Sequence, residues 1–335
     1  MIEKPSPANQ CIIDCLNNYY GIEAVNIIPL PLGADIDASV YKVQSPDHLS
    51  YFVKLKRGHN QDIGVTIQLR LHNAGIQEII SPIKTNHDQA TRHIDNFTLT
   101  VYPFIEGQDG FVSNLTDQQW ITLGKALRQI HEFEIPPLIK DQLKREVYSS
   151  KWRKSVRAIF EHIDNDPIAD QIAVKLIIFM KEHREAIERL VDRAEQLAQK
   201  IQKQSPEFVL CHSDIHAGNV LIAKNGALYI VDWDAPIMAP KERDLMFIGG
   251  GVGYVWNNTR EEELFYKGYG KTEINMAILT YYRHERIVED IALYAQELLL
   301  TNHGGKERPV MYKQFVGMFE PNGVVDIAFT SDKNL

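Results

Sequence analysis

"FVLCHSDIHAGNVLIAKNGALYIVDWD", residues 208–234, decides the fold. Two apolar runs, "NVLIA" and "ALYIVDWD", flank Lys224, Asn225 and Gly226, and Asn-Gly is the dipeptide that best tolerates the positive φ of a tight turn. The pattern predicts a hairpin. Its closure returns Asp232, at the end of the second strand, to the neighbourhood of Asn219 at the start of the first. Asp214 lies five residues before Asn219, in a loop entered from "FVLCH".

An Asp, an Asn five residues on and a second Asp across a hairpin form the set that phosphoryl transfer to a hydroxyl requires. One carboxylate orients and deprotonates the hydroxyl, while the Asn amide oxygen and the other carboxylate are hard donors suited to Mg²⁺ on the phosphates. Other readings of the same chemistry-bearing residues fail. His212 and His216 are four apart, but no Glu stands between them as in H-E-x-x-H, and strands rather than a helix bracket them. "YGKT" at 269–272 lacks the upstream glycine of a P-loop, and "GGGVG" at 249–253 follows no strand and misses the third glycine of a dinucleotide fingerprint.

Upstream of the hairpin, an amphipathic helix is expected over 9–20, closed by Gly21, and a second over 62–74, ended by Gly75. Between and after them, "VNIIPLPLGADIDASVYKVQS", "LSYFVKLKRG" and "FTLTVYPFIEG" carry the short alternating segments of strands. From Thr116, a good N-cap, apolar residues recur at helical spacing. Helices are expected over 117–133, 150–163, 170–203, 243–256, 260–267, 274–301 and 308–318, with the hairpin as the one return to strands. The fold class is therefore α+β, a β-rich front followed by a helical remainder.

The 335 residues, 44% of them hydrophobic, can bury a large core. Lys and Arg are spread rather than clustered under a net charge of −8, which argues against a nucleic-acid surface and favours a cationic small ligand. Cys11, Cys15 and Cys211 do not suit a disulfide framework, so a reducing, cytoplasmic setting is expected. No run reaches the ~18 apolar residues of a membrane span, and no obligate protein partner is expected.

"HSDIHAGNVL…IVDWD" resembles the catalytic and metal-binding segments of the aminoglycoside phosphotransferase family, small-molecule kinases with a bilobal protein-kinase-like fold. The order of elements agrees along the whole chain, including the "RHERIVEDIALYAQELL" tail. The resemblance implies a small nucleotide-binding lobe over 1–104 and a larger helical lobe over 105–335 that carries the catalytic loop, metal site and substrate pocket. It implies Asp214 as catalytic base, Asn219 and Asp232 as magnesium ligands, His212 as a loop-shaping residue and Asp244 as the brace of that loop. Lys54 is the implied phosphate lysine, with Lys56 on the same strand face as its rival. Gly33 falls in the implied nucleotide loop, and the Pro103 carbonyl and Ile105 N–H at the implied adenine hinge. The chain departs from the family at helix 62–74, which lacks the glutamate that such kinases pair with the strand lysine; Asp62 is its nearest acid. The implied reaction uses ATP and Mg²⁺ to phosphorylate a hydroxyl of a cationic aminocyclitol or aminoglycoside antibiotic, spectinomycin being the expected one. Carboxylates must then face the substrate ammonium groups, and Asp234, Glu285, Glu289 and Asp290 are the expected ones. A kinase for a metabolite alcohol such as choline, homoserine or a sugar is the alternative, and a catalytically silent nucleotide-binding protein is another.

Overall fold

The computed structural model describes residues 9–31, 37–58, 62–165, 170–250, 255–301, 305–333 and 335. Two compact units divide the chain: one comprises Ile2–Lys144 together with Gly218–Pro236, the other Arg145–Ala217 together with Ile237–Leu335. The first includes both the expected nucleotide-binding strands and the hairpin.

In this first unit, strands β1 (Asn26–Leu30), β2 (Ala38–Gln44), β3 (Ser50–Arg57), β4 (Thr91–Ile94) and β5 (Phe97–Pro103) form an antiparallel sheet in the order β1-β2-β3-β5-β4. Side chains alternate across a strand, so Tyr41, Val43, Val53, Leu55, Leu99 and Val101 share one face. They pack on Ile12, Cys15 and Leu16 of the leading helix. The same alternation sends Lys54 and Lys56 to the opposite face. That leading helix runs Asn9–Cys15, widens into a π-helical turn over Leu16–Tyr20, and stops at Gly21, whose φ of 65° is the expected left-handed cap. The second expected helix forms as Asp62–Asn73. Gly33 lies outside the described residues, as does the side chain of Asp62.

The expected hairpin forms from Val220–Ala223 and Leu228–Ile230, with Ile222 opposite Leu228. Of its turn residues only Gly226 takes a positive φ, 86°, and its N–H donates to the Ala223 carbonyl at 2.8 Å, so the loop is the three-residue kind rather than a two-residue Asn-Gly turn. A third strand, Gly107–Asp109, joins its free edge, where the sequence pattern predicts none. Helix Asp117–His131 begins at Thr116 with a complete capping box.

The second unit is helical. Lys151–Asn165, Gln171–Glu182, Arg184–Ile201, Met276–Leu300, Arg308–Gly317 and Val324–Asp332 enclose one core that includes Ile159, Leu176, Leu190, Ile291, Phe315 and Ala328. Several expectations need correction. The single helix expected over 170–203 breaks at His183, whose φ of −103° and ψ of 14° leave the helical region. Of the helix expected over 243–256, the described residues form Glu242–Leu245, after which the carbonyls of Met246 and Ile248 accept from the Arg283 guanidinium at 3.3 and 3.0 Å; residues 251–254 lie outside the described residues. Strand Ile237–Ala239 pairs with Val209–Cys211, and helix Val324–Asp332 lies near the end of the chain; the sequence pattern predicts neither. Among the described residues no helix is long and apolar enough to cross a membrane.

Removing the Thr116 hydroxyl leaves a helix N–H without its acceptor, so Thr116→Ala is expected to cost about 1 kcal/mol. Urea unfolding should show a lower midpoint at unchanged slope; an unchanged midpoint would contradict the capping role.

Candidate active site

The hairpin brings the expected metal donors to neighbouring backbone positions. Val231 N–H donates to the Asn219 carbonyl at 2.9 Å, joining the two strand ends, and Asp232 follows at φ 64°, a left-handed conformation that Asp tolerates better than most residues. Asn219 is buried and the Asp232 side chain is 48% exposed. An amide and a carboxylate so placed are the hard oxygen donors that suit Mg²⁺. The hairpin is also tied to the expected hinge, since Lys224 N–H donates to the Glu106 carbonyl at 2.9 Å, and the hinge is tied to β3 by Phe104 N–H donating to the Ser50 carbonyl at 3.0 Å. Pro103 thus ends β5 opposite Tyr51, and Ile105 lies half-buried in the link between the two sheets.

Both lysines of β3 reach the residues just beyond the hairpin. Lys54 Nζ lies 2.9 Å from Asp232 Oδ1 and 2.6 Å from Asp234 Oδ1, and Lys56 Nζ lies 2.6 Å from Asp234 Oδ2. Burial disfavours the Lys54 ammonium, yet the two carboxylates outweigh it and raise its pKa. Asp234 is the mirror case: burial pushes its carboxyl up, and Lys54 and Lys56 bring it below the ordinary value. Asp234, expected among the substrate carboxylates, is therefore engaged by the lysines.

In the helical unit, Asp214 is held from several sides. Arg286 Nη1 donates to its carboxylate at 2.5 Å, His216 Nε2 lies 3.5 Å away, and its own N–H donates to His212 Nδ1 at 3.3 Å. Burial would raise its pKa, but His216 and Arg286 prevail and hold it well below the usual carboxylate range. The preceding Ser213 has φ 76°, a strained value that needs outside support. Asp244 supplies it: this fully buried carboxylate accepts the N–H groups of His212 at 2.9 Å and Ser213 at 2.7 Å. The bracing role expected of Asp244 is present in this geometry.

The helix acids separate into two groups. Glu285 is buried against Arg153, itself 1% exposed, whose guanidinium also donates to Glu195 at 2.8 Å. Burial pushes the Glu285 carboxyl up to about 7. Asp290 instead accepts from Arg286 at 3.1 and 3.2 Å, and Glu289 senses the same guanidinium; burial raises the pKa of both acids. Arg286 is the site residue that sequence reasoning misses. Its i,i+4 spacing to Asp290 is visible in the sequence, whereas its contact with Asp214, 72 residues away, is not.

Residues 30–246 match the phosphotransferase enzyme family (APH). The chain belongs to that family. Spectinomycin phosphotransferase APH(9)-Ia in complex with ADP and spectinomycin is 47% identical, with a TM-score of 0.91 over 98% of this chain and 99% of that one. The AMP-bound complex of the same enzyme is 46% identical, with a TM-score of 0.87 over 97% and 99%. A microcompartment-associated aminopropanol kinase shares the fold at 11% identity and a TM-score of 0.65, over 97% of this chain and 98% of that one. Protein StrN of Streptomyces griseus is 25% identical over 187 residues, 53% of this chain and 56% of that relative, so the chain spans little more than half the length of the curated relative it matches. The α+β expectation holds: the fold is kinase-like, with a β-sheet N-terminal region and a helical C-terminal region.

The Glu285 site gives a pH signature. Unfolded, the carboxyl titrates near 4.5; folded, near 7, so between these values the folded state keeps a proton that the unfolded chain has released. Raising pH through that window therefore lowers stability. Denaturation series should show Glu285→Gln gaining on the wild type from pH 4.5 to 7, by up to about 1.4 kcal/mol for each step of one pH; parallel curves would contradict the assignment.

Proposed function

We propose that the protein transfers the γ-phosphoryl group of ATP, with Mg²⁺, to a hydroxyl of spectinomycin or a closely similar cationic aminocyclitol. The observation that carries this reading is the 47% identity, over 98% of this chain, to an enzyme captured with ADP and spectinomycin. The candidate site supports it with residues of matching chemistry.

Asp214 is ionised and, with Arg286 and His216 on its oxygens, a weak proton acceptor. Its work is to hold the acceptor hydroxyl by a hydrogen bond and aim the oxygen lone pair, taking the proton as the bond to phosphorus forms. A loose transition state asks for no earlier deprotonation. Asn219 and Asp232 would hold the magnesium, and Lys54 would neutralise phosphate oxygens. When bound, the Mg-nucleotide supplies the phosphoryl group and the charge neutralisation that its departure requires. Pro103 and Ile105 are the adenine contacts and Gly33 belongs to the nucleotide loop, within a nucleotide-binding lobe over 1–104; residues 105–335 carry the rest. On the acceptor side, Glu289 and Asp290 meet the ammonium groups, while Glu285 is paired with the buried Arg153. A cytoplasmic location agrees with buried free thiols at Cys15 and Cys211.

An ADP-release assay with Mg-ATP, offering spectinomycin, kanamycin, choline and homoserine in turn, tests the substrate. Turnover with spectinomycin is expected; turnover with choline or homoserine alone would keep the mechanism and replace the substrate. General-base assistance is worth about 10²–10⁴-fold, so Asp214→Asn should lose that much turnover while binding nucleotide normally. Because Asp214 is held ionised, kcat/KM should show no acidic limb from this group between pH 7 and 5. A limb in that range that disappears in Asp214→Asn would overturn the charge state described for the loop.

A further inference from the structure

The phosphate lysine of a kinase is a long, flexible cation that needs a fixed acid to aim it. Helix Asp62–Asn73, with sequence DIGVTIQLRLHN, contains no glutamate, and among the described residues Lys54 finds its counter-charges on the hairpin side, at Asp232 and Asp234. These two acids do not have equal standing. Asp232 is 48% exposed and is the residue proposed to hold magnesium, so it is not available to hold the lysine in the loaded enzyme. Asp234 is 29% exposed, closer to Lys54 at 2.6 Å, and its second oxygen is bonded to Lys56 at 2.6 Å, which makes it a bridge between the two lysines of β3.

The backbone around Asp234 is itself constrained. A Cβ added at Gly64 would stand 2.0 Å from the Trp233 carbonyl oxygen, and 3.7 Å from the Asp234 Cα. Only glycine lets the helix backbone come this near. Trp233 is buried, and its indole N–H donates to the Ile230 carbonyl at 3.1 Å, so the residue before Asp234 is pinned on two sides. The same helix presents Gln68, which accepts from Tyr102 of β5 at 2.8 Å. Among its described side chains this helix thus supplies packing and no acid.

We infer that Asp234 is the positioning residue for Lys54, a hairpin acid standing where a helix glutamate is missing, and that it holds Lys54 and Lys56 ready for the phosphates of a nucleoside triphosphate. This rests on the kinase reading given above. Asp232 can leave Lys54 when the nucleotide enters; Asp234 stays.

Binding of Mg-ADP to Asp234→Asn, Asp234→Glu and the wild type, measured calorimetrically without any acceptor, is the test, together with the KM for the acceptor. Asp234→Asn is expected to weaken Mg-ADP binding tenfold or more and to leave the KM for the acceptor within about threefold. Asp234→Glu should recover part of the affinity, and unchanged far-ultraviolet circular dichroism excludes a folding defect. Wild-type Mg-ADP affinity in Asp234→Asn would overturn the inference, as would a loss confined to acceptor KM. A wild type that binds no Mg-ADP would instead defeat the kinase reading itself, which keeps the two failures apart.

Discussion

A charge taken out of water must meet a counter-charge or a set of dipoles, and the candidate residues within each unit are organised by that requirement. Lys54 would be strongly disfavoured in its buried position alone; Asp232 and Asp234 make it tolerable and raise its pKa instead of lowering it. Asp214 would be pushed toward neutrality by burial; Arg286 and His216 hold it ionised. Asp244, fully buried, commits both carboxylate oxygens to the N–H groups of His212 and Ser213, and thereby fixes a loop whose Ser213 is strained at φ 76°. Removing Asp244 would leave two N–H groups of that loop without their acceptor.

Much of this is legible from residues alone where the signal is local. The hairpin announces itself through period-two alternation around Asn225-Gly226, and the helix from Asp117 through Thr116 and a capping box with Gln119. What escapes is non-local. The helix Glu242–Leu245 does not continue through Met246 and Ile248, whose carbonyls are taken by Arg283 from a helix far along the chain. The strand Ile237–Ala239 is three residues long and exists because Val209–Cys211 pairs with it, not because of any propensity of its own. His183 interrupts a helical periodicity that is otherwise continuous, and its imidazole Nδ1 sits 3.0 Å from the Phe179 carbonyl at the end of the first segment.

The site shows the same division. Asp214, Asn219 and Asp232 can be named because their mutual spacing carries the chemistry. Asp234 can be noticed, but its direction depends on Asp232 adopting a left-handed φ of 64°, after which simple strand alternation no longer tells which way a side chain points. Likewise Glu285 and Glu289 are four apart on one helix and would share a surface if that surface were all exposed. Arg153, arriving from a helix 132 residues earlier, draws Glu285 into the core instead. Helical spacing predicts which residues are neighbours, and the packing partner decides which of them meet solvent.

The acid-base count beside Asp214 bears on the kind of acceptor the protein can take. Asp214, Glu289 and Asp290 lie in the field of Arg286, with His216 beside Asp214 and Arg243 acting on Glu289, and burial raises the pKa of Glu289 and Asp290. A neutral group placed against those two acids would add to their desolvation, whereas a cationic one would favour their ionised forms. Electrostatic complementarity of this kind selects among acceptors more than it strengthens any one of them.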